Sequence, residues 1–452
     1  MATISLLGAK KTRPWIVLRE LTFQKGDTLS LAQLTKEVAQ SQKNIYNLGL
    51  FNQVVVQPLV AGQEVHIILR LTERWYLLGG PIFRIQERNN YDALRALFRG
   101  ELRRSVVGLN LQWRNLTGRN ETLAFSGHLG FTQKLFVSFS TPALFRKQNL
   151  ELLLAGQYLR EKEVILGTEG AEVRWGRVET DPLQRSFRFD VGLRKRFSQY
   201  ENLDVRIGYQ QYRFADSLYD FRLNDQPLRL ITQPDGREQY PTLLLTYAND
   251  HRDIRSFPLS GYKYQLLFRA AGPRGGAATT AFMKIGGTWS QHIALNERWN
   301  VAYGFHLVYT LGDSIPFWEK SFIGINRRGF PGISTEMRGY EPFAIDGTFV
   351  NMNKAEVKYA LFPRRIIHIK QIPFRQFQDM PFGLYLSAFC DTGRVQDSSF
   401  SNQDLHLKNR WLIGYGMGLN LIGFYDMLAR IELSRNHLGQ SGVYVNATVP
   451  IK

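Results

Sequence analysis

Residues 298–311, RWNVAYGFHLVYTL, decide the architecture of this chain. Trp299, Val301, Tyr303, Phe305, Leu307, Tyr309 and Leu311 fall on one face of an extended segment. Asn300, Ala302, Gly304, His306, Val308 and Thr310 fall on the other. One face is apolar and aromatic, and the other is small or polar. A strand with lipid on one side and a polar interior on the other has this period of two. The alternation recurs at Phe187, Phe189, Val191 and Leu193 against Arg188, Asp190, Gly192, Arg194 and Arg196. It recurs again from Trp411 to Leu421, where Leu412, three glycines and Asn420 oppose an apolar set. A soluble sandwich also alternates, but it would have to bury those charges or leave the aromatic face in water.

About sixteen such segments follow one another, from 79–87 to 442–450, with the eleventh near 299–310, the twelfth near 347–361 and the thirteenth near 383–391. An even count suits a closed antiparallel barrel. The reading is a mainly β protein: an antiparallel transmembrane β-barrel of about sixteen strands over residues 75–452. Composition agrees, since 13% of the 452 residues are aromatic, with 30 Phe and 20 Tyr. Mean hydropathy is slightly negative, as expected when only every second residue meets lipid. No apolar run is long enough for a transmembrane helix.

Residues 1–74 read differently. Ile4 to Leu7 is a short strand ended by Gly8. Thr12 is placed to cap a short helix with Pro14 in its first turn and Trp15, Val17, Leu18 and Leu21 as apolar positions. Ser30 to Leu48 carries Leu31, Leu34, Val38, Ile45 and Leu48 at helical spacings, and Gly49 ends it. Strands are expected at Val54–Leu59 and Val65–Leu71, around a turn at Ala61-Gly62. The order is strand, helix, helix, strand, strand. With Arg19-Glu20-Leu21-Thr22-Phe23, Gly26-Asp27 and Asn47-Leu48-Gly49-Leu50-Phe51, the segment resembles a POTRA domain, the periplasmic module that precedes outer-membrane assembly barrels. No signal peptide is visible at Met1-Ala2-Thr3-Ile4, so a mature form or a mis-assigned start is expected.

The longest connection, Gly312 to Asp346, lies between the eleventh and twelfth segments and contains Met337-Arg338-Gly339-Tyr340. Connections of this length are usually functional or disordered. Glu356 follows in Lys354-Ala355-Glu356-Val357-Lys358-Tyr359, and Phe389-Cys390-Asp391-Thr392-Gly393 follows that. In this order and behind a POTRA-like segment, the three stretches resemble the BamA/TamA-type outer-membrane barrel superfamily. The resemblance implies that the loop carrying Arg338, Gly339 and Tyr340 folds into the lumen. It also implies that Glu356 and Asp391 hold the arginine, with Phe389 and Gly393 in support. The alternation independently points Glu356 and Asp391 inward. A guanidinium offers a rigid fork that two carboxylates can take bidentately. The same cluster suits a purely stabilising role equally well.

The resemblance implies insertion or translocation of polypeptides at the bacterial outer membrane, with the POTRA domain in the periplasm. Outer-membrane lipid, unfolded or exported polypeptides and accessory periplasmic or lipoprotein subunits are the expected partners. A dedicated transporter for one partner protein and a passive or structural barrel are the alternatives. The single POTRA-like segment and the terminal Thr448-Val449-Pro450-Ile451-Lys452, which lacks a final aromatic, keep a specialised member in view. No enzyme is expected: Ser290, His292 and His306 lie on or near strands without a nucleophile elbow. No cofactor or metal is expected either, because Cys390 is the single cysteine and the eight histidines are scattered. The +18 charge is spread along the chain, which suits a basic lumen and loops rather than nucleic acid.

Overall fold

A computed structural model describes residues 3–62, 64–85, 98–145, 149–169, 172–177, 182–216, 222–223, 226–227, 236–272, 280–312, 315–324, 336–372, 378–397, 407–423 and 427–448. Expected strand residues 86–87, 279, 426 and 449–450, and both chain ends, lie outside these.

The N-terminal unit consists of β1 (Thr3–Leu7), α1 (Pro14–Leu18), α2 (Leu31–Asn47), β2 (Phe51–Ala61) and β3 (Glu64–Glu73). Its sheet has the order β1-β3-β2, with β1 parallel and β2 antiparallel to β3. Ser30 starts α2 with a capping box: its hydroxyl accepts from the Gln33 amide, and the Gln33 side chain accepts from the Ser30 amide. The core is Ile16, Val17, Leu34, Ile45, Leu50, Phe51, Ile67 and Leu69, where both helices cover one sheet face. Leu31 and Leu18 remain exposed, because each sits at a helix end beyond the reach of that face.

Thr12 does not cap α1. Arg13 holds the cap position, and the Thr12 hydroxyl turns to Glu73 instead. The Glu73 carboxylate also accepts from the Thr12 and Lys11 amides. The Thr12 oxygen further meets Tyr76, just outside β3, and accepts from Asn115 of the barrel.

Besides three two-stranded ribbons, the described residues of the remaining chain form one antiparallel sheet of sixteen strands. They are β4 (Leu77–Ile85), β5 (Ser105–Arg114), β6 (Thr122–Gly130), β7 (Thr132–Phe145), β8 (Leu150–Glu161), β9 (Gln184–Arg196), β10 (Glu201–Phe214) and β11 (Arg237–Asp250). Then come β12 (Gly261–Ala271), β13 (Phe282–Ala294), β14 (Trp299–Leu311), β15 (Phe349–His368), β16 (Asp379–Gln396), β17 (Trp411–Ile422), β18 (Leu428–Asn436) and β19 (Ser441–Thr448). Each pairs with its sequence neighbour. The sixteen expected segments correspond one to one with these strands. Among the described residues no ladder joins β4 to β19.

Side chains alternate as the period of two requires. Phe187, Ile207, Ile285, Met417 and Ile431 are exposed on the outer face. The inner face carries ion pairs between neighbouring strands. Arg194 of β9 grips Asp204 of β10 through Nε and Nη2 at 2.6 and 2.8 Å and reaches Glu151 of β8 at 3.3 Å. Such pairing lets a sheet keep charges on its enclosed side.

The N-terminal unit is fastened to one mouth of the sheet. The Arg13 amide donates to the Gly118 carbonyl, Gln199 bridges Asn44 and the Glu20 carbonyl, and Asn47 donates to the Asp253 carbonyl. Arg364, near the end of β15, donates to the Tyr46 hydroxyl at 2.8 Å.

Burial acts to raise the Glu73 carboxyl, but the hydrogen bonds from Thr12 and Lys11 outweigh it and hold the group below the usual carboxylate range. A carboxyl depressed in the folded state adds stability above its unfolded pKa and loses that stability as pH falls through its folded value. Glu73→Gln should therefore lower the urea resistance of the N-terminal unit at pH 7 by about 1 kcal/mol, after allowance for partial exposure. The gap to wild type, read by limited proteolysis across a urea series, should close as pH drops below about 4.

Candidate functional site: a loop locked inside the barrel

The connection after β14 turns into the sheet's interior. Its first anchor is a short helical turn, Phe317–Glu319. Trp318 packs with Tyr212, Phe214, Tyr240 and Phe282 in an apolar cluster. The buried Glu319 carboxylate lies against Arg269 of β12, accepts from Lys284 of β13 at 3.1 Å and accepts from the Tyr240 hydroxyl of β11 at 3.0 Å. Lys320 pairs with Asp397 at 2.8 Å.

The second anchor holds the arginine motif. Arg338 donates from Nε and Nη2 to the two Asp391 oxygens at 2.9 and 2.6 Å, and its backbone amide adds a third bond at 3.1 Å. The Asp391 side chain is fully buried. The guanidinium stacks on the Phe389 ring at 3.8 Å, and the stacked plane and the bidentate pair together fix its orientation.

Glu356 departs from expectation. It faces inward, but its nearest approach to Arg338 is 3.8 Å, a charge contact without a hydrogen bond. Register explains the distance. On the β15–β16 ladder Lys354 is level with Asp391, and Glu356 is level with Phe389. Glu356 thus stands two residues, about 7 Å, further along the strand than Asp391. A third carboxylate, Glu432 of β18, lies at 3.7 Å from Arg338 and was not anticipated.

Gly339, Tyr340 and Gly393 have distinct places. The loop backbone lies directly on β17, and a Cβ on Gly414 would come within 2.0 Å of the Arg338 carbonyl oxygen. Gly416 leaves room for the Phe389 ring. Gly339 takes a φ of +86°, and its carbonyl accepts from Asn436 at 3.0 Å. Tyr340 is fully buried, with its hydroxyl on the His437 ring. Gly393 leaves space filled by Met337 and Ile323. Met337, Tyr340, Phe343, Ile345, Val395 and Leu412 form one apolar cluster between loop and wall.

The profile of the Omp85 superfamily domain matches residues 115–423, and that of the POTRA module, the surface antigen variable number repeat, matches residues 2–74. The chain belongs to the Omp85 superfamily. Among solved structures, it is similar to BamA from Haemophilus ducreyi lacking POTRA domains 1–3, with a TM-score of 0.54 at 15% identity, covering 98% of this chain and 82% of that one. It is also similar to CdiB from Escherichia coli, with a TM-score of 0.57 at 13% identity, covering 99% and 76%. At these identities the likeness concerns the fold. No curated protein sequence matches the chain.

Within this Omp85 frame, the sequence marked the arginine motif and the two acidic stretches that follow it. Glu432, Glu319 and His437 were missed. One signal was present: Gly414, Gly416 and Gly418 all fall on the inward face of β17, and a wall stripped of side chains is where a second layer of backbone can lie.

Arg338→Ala leaves Asp391 buried and unpaired, a loss of roughly 3–5 kcal/mol on the scale of broken buried pairs. Arg338→Lys keeps the charge and loses the fork, so its loss should be smaller. Heat-modifiability on gels should fall in that order. Gly414→Ala should also lower it, by pushing the loop off the wall without touching any charge. Equal mobility shifts in all three variants and wild type would remove the lock from the account.

Proposed function

We propose that this Omp85 protein inserts polypeptides into, or passes them across, the bacterial outer membrane, with its POTRA domain in the periplasm. The observation that carries the reading is the sheet's one discontinuity. Fifteen ladders join consecutive strands among the described residues, and β4 and β19 are its terminal strands, each laddered on one side only. An unpaired edge presents free N–H and C=O groups that template an added strand. The antiparallel neighbours β5 and β18 hold these edges in place on either side.

The anchoring of the long connection inside the sheet favours this reading over a passive channel. Two apolar clusters and two buried ion clusters carry the long connection through the interior. A polypeptide route along the sheet edges tolerates a connection anchored in the interior better than solute flow through the middle does. The reading assigns no catalytic group. Ser290, His292 and His306 line a lumen cavity of about 240 Å³, and no hydrogen bond joins the serine to either histidine. Partners would be lipid, unfolded or exported chains and accessory periplasmic subunits.

Cysteine pairs placed between 77–85 and 441–448, in a Cys390→Ser background, test the seam. Oxidation should abolish function in cells and reductant should restore it. Full tolerance of the locked form would sink the seam mechanism. Depletion followed by an inventory of outer-membrane proteins separates the finer roles: loss of many barrels marks insertion, and loss of one exported protein marks dedicated secretion.

A further inference from the structure

We propose that the arginine-lined cavity between the POTRA domain and the barrel wall binds a carboxylate-rich stretch of polypeptide. The proposal rests on the polypeptide-handling reading above and names the kind of segment handled.

Two adjoining cavities of about 590 and 310 Å³ lie beneath the end of α2 and share Asn47, Thr122 and Arg255 among their walls. Their sizes fall in the roughly 300–1,000 Å³ range of ligand sites. Nine arginines and five carboxylates line them among the described residues. With Asp204 added, the cations still outnumber the carboxylates.

The excess is visible residue by residue. Asp204 is gripped by Arg194 and must also serve Arg206 at 3.2 Å. The buried Arg206 Nε has no hydrogen-bond partner. Asp250 is held by both arms of Arg252 at 2.7 and 2.8 Å, which leaves Arg255 with a 3.6 Å approach to the same group. An arginine keeps its charge at any pH compatible with folding, so these sites cannot be relieved by losing a proton. They call for an anion.

The kind of anion is indicated by the POTRA domain itself. Arg196 of the barrel takes both oxygens of Glu20 at 2.6 Å each. A carboxylate carried on a peptide, entering from the periplasmic side, is thus already bound in the cavity by the paired geometry that guanidinium favours. Leu48, Phe136 and Ile254 interleave with the arginines along the wall. A peptide can use those apolar places, whereas free phosphate cannot.

The test uses the full chain in nanodiscs and a fluorescein-labelled peptide of alternating glutamate and leucine, with its glutamine isostere as control. The glutamate peptide should bind, weaken with added salt and lose about tenfold or more in affinity in the Arg206→Gln/Arg255→Gln double variant. Heat-modifiability checks that the variant is folded; if it is not, the wild-type preference for glutamate over glutamine decides alone. Equal binding of the two peptides, or unchanged affinity in a folded double variant, overturns the proposal. So does inorganic phosphate displacing the peptide at equal charge concentration. Binding in nanodiscs needs no transport, so its failure leaves the transport reading standing, and a negative depletion inventory leaves the binding result standing.

Discussion

A chain that crosses hydrocarbon must satisfy every backbone N–H and C=O within its own ladders, since nothing around it can. That constraint organises this molecule. It demands consecutive antiparallel strands, which is what β4 to β19 supply. It sends alternate side chains to lipid and to the lumen, so the enclosed side fills with charge that has to be paired, as Arg188 with Asp190 and Arg194 with Asp204. Among the described residues β4 and β19 are the terminal strands of the sheet, each laddered on one side only.

The loop between β14 and β15 answers a second problem, that of keeping the curved sheet in shape while its edges stay unladdered. Its two anchors lie on different arcs of the wall. Glu319 ties to β11, β12 and β13, and Arg338 ties to β16 and approaches β18. The loop therefore braces strands on both sides of its own origin. Breaking one member of a buried pair leaves the other charge stranded, which is why such braces hold even when their net contribution to stability is small. The glycine face of β17 lets the brace lie flat.

The POTRA domain continues the same logic at the periplasmic mouth. Its contacts among the described residues include hydrogen bonds and a bidentate ion pair, from Thr12, Glu20, Asn44, Tyr46 and Asn47 to turns and strand ends. Polar interfaces of this kind are compatible with relative motion of the two units. The basic cavity beneath α2 lies at that joint, where a chain arriving from the periplasm would first meet the barrel.

The sequence alone determined the architecture, because lipid on one face and water on the other imprint a period of two that survives even in short windows such as 299–311. It also determined the inward direction of Glu356 and Asp391, since direction follows from parity along a strand. The order of the arginine and acidic stretches was legible for the same local reason. What only the tertiary structure decided was level. Parity says which face a residue takes, and register says how high it stands. Register between neighbouring strands placed Asp391 in the fork of Arg338 and left Glu356 out of hydrogen-bonding reach, and the path of the loop brought in Glu432, two strands beyond Asp391. Glu319 and Thr12 were illegible for a related reason: each is defined by partners more than thirty residues distant, and no local pattern carries that distance.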